Sequence, residues 1–441
     1  MKKNTIVKPI SIIGFIICCL LLHSCSTTDP PPVTPPEEKP DTIVVNIVEE
    51  SYKYIKINVQ NTAHNNNSLI RLIRKQGESN FSIAQYTNTV RDTTILDDYG
   101  GKGLDYNTAY SYYAMRVEGE KTIDTSKTVT GRTREPINHN YIWEEITIGE
   151  WQSVLYDVWG TDENNVYAVG DITVNGENYG LLHYDGNNWI PTHGAGGNAI
   201  FGFGANDIWT VGGQVYQYDG NKWIPKAYLI EDNGDIKVLD NVLREHTPYH
   251  GTWGMSSSDL YFASQRGTIV HWNGQKATLM ETPTKIFLTD IWGASESLIL
   301  ACGNTMVTPS TVLKYNGQYW RLMSELDLDT ELYESVYVMS ESEYYVSGSK
   351  TLRYYNNRWT EELKGAIGII HKIRGDRNTG QVVAVGSAGT LWHFNGVDWC
   401  DFTNIAFKEY TTIYGIYVFE KTIFAVGTAN SHAKISIGKL Q

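Results

Sequence analysis

Short runs in which apolar and polar residues alternate fill the chain from about residue 42 to its end. Typical runs read TIVVNIV, YIKINVQ and NVYAVG. This alternation predicts β-strands that bury one face, and no segment of the same stretch has a convincing helical apolar period. The 29 tyrosines, 13 tryptophans and 40 glycines agree, because aromatic residues favour strands and glycine favours tight turns. We therefore predict an all-β fold.

A longer pattern recurs from about residue 141 onward. Its clearest copy runs from Asp157-Val158-Trp159-Gly160 through NVYAVG, which ends at Gly170, to LHYDGNNW, which ends at Trp189. The glycine of NVYAVG returns about every 40 residues, the length of a β-propeller blade of four short strands. The seven positions, of which the third is a serine, are Gly170, Gly212, Ser264, Gly303, Gly348, Gly386 and Gly427.

The last copy lacks the outermost strand of the pattern. The chain stops after AKISIGKLQ, whereas Tyr141-Ile142-Trp143-Glu144, ahead of the first copy, has the character of the missing strand. Pairing the two would remove an exposed sheet edge. We therefore predict a seven-bladed β-propeller over residues 141–441, closed by an N-terminal strand. The repeats resemble those of bacterial seven-bladed propellers with the pattern W-G-x-x-x-x-D-V-Y-A-V-G … H-Y-D-G-x-x-W; the resemblance covers Trp143 to Gln441 and implies the fold but little about function.

Residues 42–133 carry seven shorter strand-like runs, which predict an immunoglobulin-like sandwich. The segment Leu104-Asp105-Tyr106-Asn107-Thr108-Ala109-Tyr110 resembles the corner of fibronectin type III domains, with Tyr106 where proline is usual. That resemblance implies a fibronectin III-like sandwich in which a tyrosine hydroxyl is tied to nearby backbone. Residues 134–140 are predicted to be a linker.

The first residues have the character of an export signal. Lys2 and Lys3 precede an apolar run from Ile10 to Leu22 that is too short for an ordinary membrane-spanning helix. Leu22-His23-Ser24-Cys25 resembles the lipobox of bacterial lipoproteins, which implies a signal peptide over 1–24 and a lipid on Cys25; a plain secretory signal is the alternative. Proline-rich residues 25–41 then form a stalk. We predict an outer-membrane lipid-anchored protein of the cell envelope, periplasmic or surface-exposed.

Charge and motifs limit the functions to consider. The formal net charge of −13 would repel a nucleic acid. The sequence contains no G-x-S-x-G, H-E-x-x-H or P-loop motif. Residues 231–235, Glu-Asp-Asn-Gly-Asp, could bind Ca²⁺, although a solvated loop is the simpler interpretation, and no other cofactor or metal site is predicted.

Alignment of the copies places one column of residues just before each innermost strand, at the mouth of the predicted channel. Its members are Tyr156, Asn198, His250, Thr289, Glu334, His371 and Tyr414. Tyr156, His250, Thr289, Glu334, His371 and Tyr414 are the predicted ligand-binding residues. They would form a pocket for a polar ligand, or simply the wet rim of a channel.

These features predict a non-catalytic binding or scaffold module for a glycan or protein partner, with no catalytic residue assigned. The alternative is a carbohydrate-active enzyme, of glycosyl hydrolase or glycosyltransferase type. It would use Glu334 with a nearby histidine or tyrosine at the channel mouth.

Overall fold

The computed structural model describes residues 42–62, 68–230, 236–305, 309–355 and 357–441. The predicted signal peptide, Cys25, the stalk and the acidic segment 231–235 lie outside these ranges. The described part of the chain contains no helix with the length and apolar character needed to span a bilayer.

The N-terminal part is a sandwich of two antiparallel sheets. Its strands are β1 (Ile43–Glu50), β2 (Ile55–Asn61), β3 (Leu69–Gln76), β4 (Ser79–Thr87), β5 (Asp92–Asp97), β6 (Ala109–Glu118), β7 (Lys121–Thr125) and β8 (Val129–Arg132). One sheet has the order β1-β2-β5 and the other β4-β3-β6-β7, with β8 also paired to β6. The hydroxyl of Tyr110 accepts a hydrogen bond from the backbone N–H of Asp105 at 3.0 Å, the tie expected from the sequence.

The rest of the chain forms a β-propeller, as predicted. Blades one to three comprise β10 (Val154–Asp162), β11 (Asn165–Val174), β12 (Glu177–Tyr184) and β13 (Trp189–Thr192); β14 (Ala199–Gly204), β15 (Asp207–Val211), β16 (Val215–Tyr218) and β17 (Trp223–Pro225); and β20 (Tyr249–Ser256), β21 (Asp259–Ser264), β22 (Ile269–Trp272) and β23 (Ala277–Met280). Between blades two and three lie β18 (Tyr228–Ile230), β19 (Ile236–Val238) and α1 (Asn241–Glu245).

Blades four to six have the same four-stranded antiparallel order. They comprise β24 (Asp290–Ser295), β25 (Leu298–Gly303), β26 (Thr311–Tyr315) and β27 (Trp320–Leu322); β28 (Tyr333–Ser340), β29 (Glu343–Gly348), β30 (Thr351–Tyr355) and β31 (Arg358–Glu362); and β32 (Ile370–Gly375), β33 (Val382–Gly386), β34 (Leu391–Phe394) and β35 (Trp399–Asp401).

The seventh blade is built from both ends of the propeller segment. Its inner strands are β36 (Thr412–Val418), β37 (Thr422–Ala429) and β38 (His432–Leu440), and its outermost strand is β9 (Tyr141–Ile148). β9 and β38 pair in register from Tyr141↔Leu440 to Ile148↔Ala433. The predicted closure by the segment around Trp143, and the predicted count of seven blades, are confirmed.

The recurring glycine is explained by packing within each blade. A Cβ atom at Gly348 would overlap the carbonyl oxygen of Leu332, which immediately precedes the innermost strand of the same blade. The equivalent glycines of four other blades, Gly170, Gly303, Gly386 and Gly427, stand against a carbonyl oxygen in the same way. The glycine therefore lets the second strand approach the start of the first.

The Trp-Gly pair of the innermost strand is explained by packing between blades. A Cβ atom at Gly202 would lie 2.6 Å from the ring of Trp159, and one at Gly293 would lie 2.7 Å from the ring of Trp253. Each tryptophan thus covers the glycine of the next blade. This contact fixes the large rings in place.

The sandwich docks on turns of blade six, and its Lys56 also donates to the hydroxyl of Ser342 in a turn of blade five at 3.4 Å. Arg134 donates a hydrogen bond to the carbonyl oxygen of Arg377 at 2.8 Å. Tyr52 lies against Gly380 and Gly396, where any side chain would overlap its ring. The turn that holds Arg377 and Gly380 follows the end of the innermost strand of blade six, so the sandwich lies on the face opposite to the strand starts.

Candidate functional site

The column of residues predicted from the repeats does gather at one end of the channel. In blade one, Leu155 pairs with Gly170 and Asp157 with Val169, so Tyr156 is the extra residue of a β-bulge. The same shift leaves four more members unpaired: His250, Glu334, His371 and Tyr414. A bulge re-aims the side chain of its extra residue, and here it turns that side chain away from the ladder. We call the seven-residue column, Tyr156, Asn198, His250, Thr289, Glu334, His371 and Tyr414, the upper mouth.

Contacts between neighbouring blades run around the upper mouth. The ring of Tyr414 lies 5.4 Å from that of His371 and 6.1 Å from that of Tyr156. His371 Nδ1 is 2.7 Å from a carboxylate oxygen of Glu334. The Thr289 hydroxyl donates to the carbonyl oxygen of Glu334 at 2.7 Å. The predicted residues are therefore brought together, whereas a ligand for them stays a prediction.

Burial sets the protonation of three of these side chains. The pKa of Tyr156 is raised to about 12 by burial and by the carboxylate of Asp171, which accepts its hydroxyl hydrogen at 3.0 Å. Burial and the charge of Glu334 raise the pKa of Tyr414. Burial lowers the pKa of His250. At neutral pH this rim thus offers protonated tyrosines and a neutral imidazole.

Glu334 and Asp171, two of the carboxylates at this end, are each held by a neighbour within the protein. Glu334 binds His371 on blade six, and Asp171 binds Tyr156 on blade one. Blades one and five lie on opposite sides of a ring of seven. Glu334 and Asp171 therefore lie on blades that are not neighbours.

A buried cluster of charges occupies the middle of the channel. Arg374 makes two hydrogen bonds to Asp290, at 2.7 and 2.9 Å, and Ser335 donates to the same carboxylate at 2.6 Å. Lys372 lies 3.6 Å from Asp290. Burial alone would raise the pKa of Asp290, but these positive charges and hydrogen bonds lower it to about 2. The cluster joins blades four, five and six.

The opposite end of the channel holds a cavity of about 420 Å³, and its lining includes six aromatic rings and the charged residues Arg374, Asp376 and Arg377. Each blade contributes the residue three positions after its upper-mouth member, which lies about 10 Å further along the strand. We call this second column the lower mouth; its members are Trp159, Phe201, Trp253, Trp292, Tyr337, Arg374 and Tyr417. Six of the seven blades thus present an aromatic ring.

The floor of this cavity is closed by contacts across the channel. The rings of Phe201 and Trp292 lie 5.6 Å apart, and the Arg374 guanidinium is 4.2 Å from the Trp292 ring centroid. Among the described residues, the buried Nε1 of Trp292 has no hydrogen-bond partner. Exposed Arg377 and Met255 stand at the rim. The lower mouth is therefore a preformed cup.

The repeats also contain a signal for this cup. Trp159, Trp253 and Trp292 each directly precede a glycine in the Trp-Gly motif of the innermost strand, one of the motifs by which the repeats are recognised. Because every blade supplies this position, the same alignment also predicts a ring of aromatic side chains around the channel.

The three histidines that recur in the third strand have separate partners. His183 bonds Asn165 at 2.7 Å, His271 bonds Asp259 at 2.6 Å, and His393 bonds Gln381 at 3.1 Å. Each partner opens the second strand of the same blade or lies directly before it. These histidines therefore occupy a repeated structural position.

Comparison with known proteins supports the fold. No protein-family model matches the chain, and no curated protein matches it. A structure described as YCF48 bound to D1 peptide aligns over 69% of this chain and 97% of that one, with 15% identity and a TM-score of 0.50. The chain shares the propeller fold of YCF48. YCF48 from Cyanidioschyzon merolae aligns over 66% of this chain and 98% of that one, with 14% identity and a TM-score of 0.46.

Proposed function

We propose that this chain is a lipid-anchored protein of the cell envelope whose propeller binds a segment of a protein partner at the lower mouth. The observation that carries the proposal is the cup of six aromatic rings. Aromatic side chains supply large apolar contact area in a fixed geometry, and concave aromatic sites are typical of peptide anchors. The peptide bound to one YCF48 propeller also favours a protein partner over a glycan.

The chemistry of the cup suits an apolar or aromatic peptide side chain. The walls are preformed because Trp159 and Trp253 are fixed on the glycines of the next blades, so little side-chain entropy remains to be lost on binding. Arg377 stands at the rim, where its backbone is tied to the sandwich through Arg134. A bound segment would therefore run alongside the sandwich.

Placing a carboxylate at the apolar part of the rim, at Met255, should weaken this binding. Met255 lines the cavity and is 49% exposed, so Met255→Asp should leave the fold intact while adding a carboxylate beside apolar rings. We expect the affinity for peptides selected on a random peptide array to fall at least about tenfold, or 1.4 kcal/mol.

Leu279 provides the matched control, because it is 50% exposed on the outermost strand of the same blade and does not line the cavity. Leu279→Asp should bind the selected peptides as the parent does. Equal binding by both variants, or selective capture of glycans and no peptides on a parallel glycan array, would reject the proposed partner.

The anchor is tested by the lipidation of Cys25. In cells fed a radiolabelled fatty acid, the parent protein should carry label and sediment with membranes, whereas Cys25→Ala should do neither. Cys19→Ala, in the preceding apolar run, is the control and should keep the label. A labelled Cys25→Ala variant, or an unlabelled parent, would contradict the anchor.

A further inference from the structure

One group of side chains at the upper mouth has the arrangement of a nucleophilic site. His371 Nδ1 lies 2.7 Å from a carboxylate oxygen of Glu334, and His371 Nε2 lies 2.9 Å from the hydroxyl oxygen of Ser387. The imidazole therefore joins a carboxylate on one nitrogen to a hydroxyl on the other. This order of carboxylate, imidazole and hydroxyl activates a serine, whatever the fold on which it occurs.

The local fold explains how the three side chains meet. His371 and Glu334 are the bulged residues of adjacent blades, six and five. Ser387 directly follows Gly386, whose missing side chain lets the second strand of blade six approach the start of its first. After Ser387 the backbone turns through Ala388 at φ 60° and Gly389 at φ 71°, both in the left-handed region. This sharp turn ends the strand at the serine.

The site is partly sheltered and still open to a substrate. The side chains of His371 and Glu334 are 16% and 17% exposed, and Ser387 is half-buried. The ring of Tyr414 covers one side of the imidazole at 5.4 Å. Partial burial strengthens the hydrogen bonds of such a group.

The residue that follows the recurring glycine has a different hydrogen-bond partner in blade six from that in blade five. The residue after the recurring glycine is Ser349 in blade five, but its hydroxyl donates to the carboxylate of Glu331 at 2.6 Å. In blade one it is Asp171, which binds Tyr156. The position is thus used for contacts in several blades, and in blade six it holds a serine against a histidine.

Exposed apolar side chains flank Ser387 and indicate the class of substrate. A Cβ atom at Gly368 would lie 3.0 Å from that of Ser387, and the preceding Ile367 is 69% exposed. On the other side, the Gly389 N–H donates to the carbonyl oxygen of Thr411, which ends the loop that exposes Ile405 and Tyr410. An apolar acyl chain would find contacts on both sides of the hydroxyl.

We propose that Ser387, His371 and Glu334 form a hydrolytic site for carboxylic esters with apolar acyl groups. This goes beyond the proposed partner binding, which takes place at the other mouth. Ser387 Oγ attacks the ester carbonyl carbon while its proton passes to His371 Nε2, and Glu334 holds the Nδ1 proton in place. The carbonyl–alkoxy bond then breaks, and His371 returns the proton to the leaving alcohol. Water, deprotonated by His371, attacks the acyl-serine, and its collapse releases the carboxylic acid and restores the Ser387 hydroxyl.

The test uses the full chain and a fluorophosphonate probe that phosphonylates activated serines. We expect a single probe per chain, located on Ser387 by peptide mass mapping, and hydrolysis of p-nitrophenyl octanoate in preference to the acetate. Ser387→Ala should remove the label. His371→Gln and Glu334→Gln should slow labelling by at least about 100-fold.

Ser349→Ala is the matched control, because that hydroxyl holds the equivalent position without a histidine. It should be labelled and should hydrolyse the ester as the parent does. An unlabelled parent, or labelling that His371→Gln leaves unchanged, would overturn the proposal even if every variant folds. Peptide binding through Met255 is measured separately, so either proposal can fail alone.

Discussion

Replacing Arg374 with methionine is expected to lower the free energy of unfolding by about 3–5 kcal/mol. The guanidinium is buried in the middle of the channel, where it makes two hydrogen bonds to Asp290 and one each to the carbonyl oxygens of Val336 and Ile373. Its removal leaves the carboxylate of Asp290 buried with Lys372 as its remaining positive neighbour, at 3.6 Å. The loss is large because the Asp290 carboxylate stays buried without the guanidinium that bonds both of its oxygens, and the more distant Lys372 replaces neither hydrogen bond.

Denaturant unfolding measures this effect, and a surface pair supplies the control. Arg321 and Glu325 form an exposed ion pair at 3.4 Å, so Arg321→Met should cost less than about 1 kcal/mol. Adding Asp290→Asn to Arg374→Met should recover part of the loss, because residue 290 then no longer carries a buried negative charge that lacks its guanidinium partner. Equal costs for the two arginine substitutions would contradict the structural role of the channel cluster.

The pH dependence of the same variant follows from the pKa of Asp290, which the native environment lowers to about 2. A carboxyl whose folded pKa is depressed stabilises the fold above its unfolded value, about 3.9, and loses that stabilisation as the pH falls toward the folded value. Without Arg374 the pKa of Asp290 rises. The difference in the free energy of unfolding between variant and parent should therefore be largest near neutral pH, and it should become smaller below about pH 4.

The architecture was accessible from the sequence because its signals are local and repeated. The recurring glycine and tryptophan marked each blade, and the unpaired strand around Trp143 identified the closing partner of the last copy. The upper mouth followed from alignment alone, since Tyr156, His371 and Tyr414 hold the same place in their blades. The repeats thus predict the fold, and they predict how far along the channel each residue of the innermost strand lies.

The contacts between blades could not be predicted in this way. The pairing of Arg374 with Asp290 joins blades six and four, and nothing in the repeat pattern specifies which charges meet in the channel. The contact between Ser387 and His371 depends on a bulge in one strand and the end of the next. The aromatic cup was missed because Phe201, Tyr337 and Tyr417 replace the tryptophan by which the motif was recognised.

Joining the first and last strands of the propeller with a disulfide should raise its resistance to denaturant by about 2–4 kcal/mol. Ile142 and Lys439 are directly paired between β9 and β38, and both are exposed. Opposite residues of an antiparallel pair have Cα atoms about 4.5–5.5 Å apart, within reach of a disulfide. The bridge would enclose nearly the whole propeller, so it restricts the unfolded chain strongly.

The yield of this bridge tests the closed ring most directly. Ile142→Cys/Lys439→Cys, in a Cys400→Ser background, should cross-link almost completely under mild oxidation of the native protein, with a shift in gel mobility that reduction reverses. Ile142→Cys/Lys276→Cys, with the second thiol on the outer turn of blade three, should stay reduced. A low yield for the first pair, or similar yields for both, would contradict a propeller closed by its N-terminal strand.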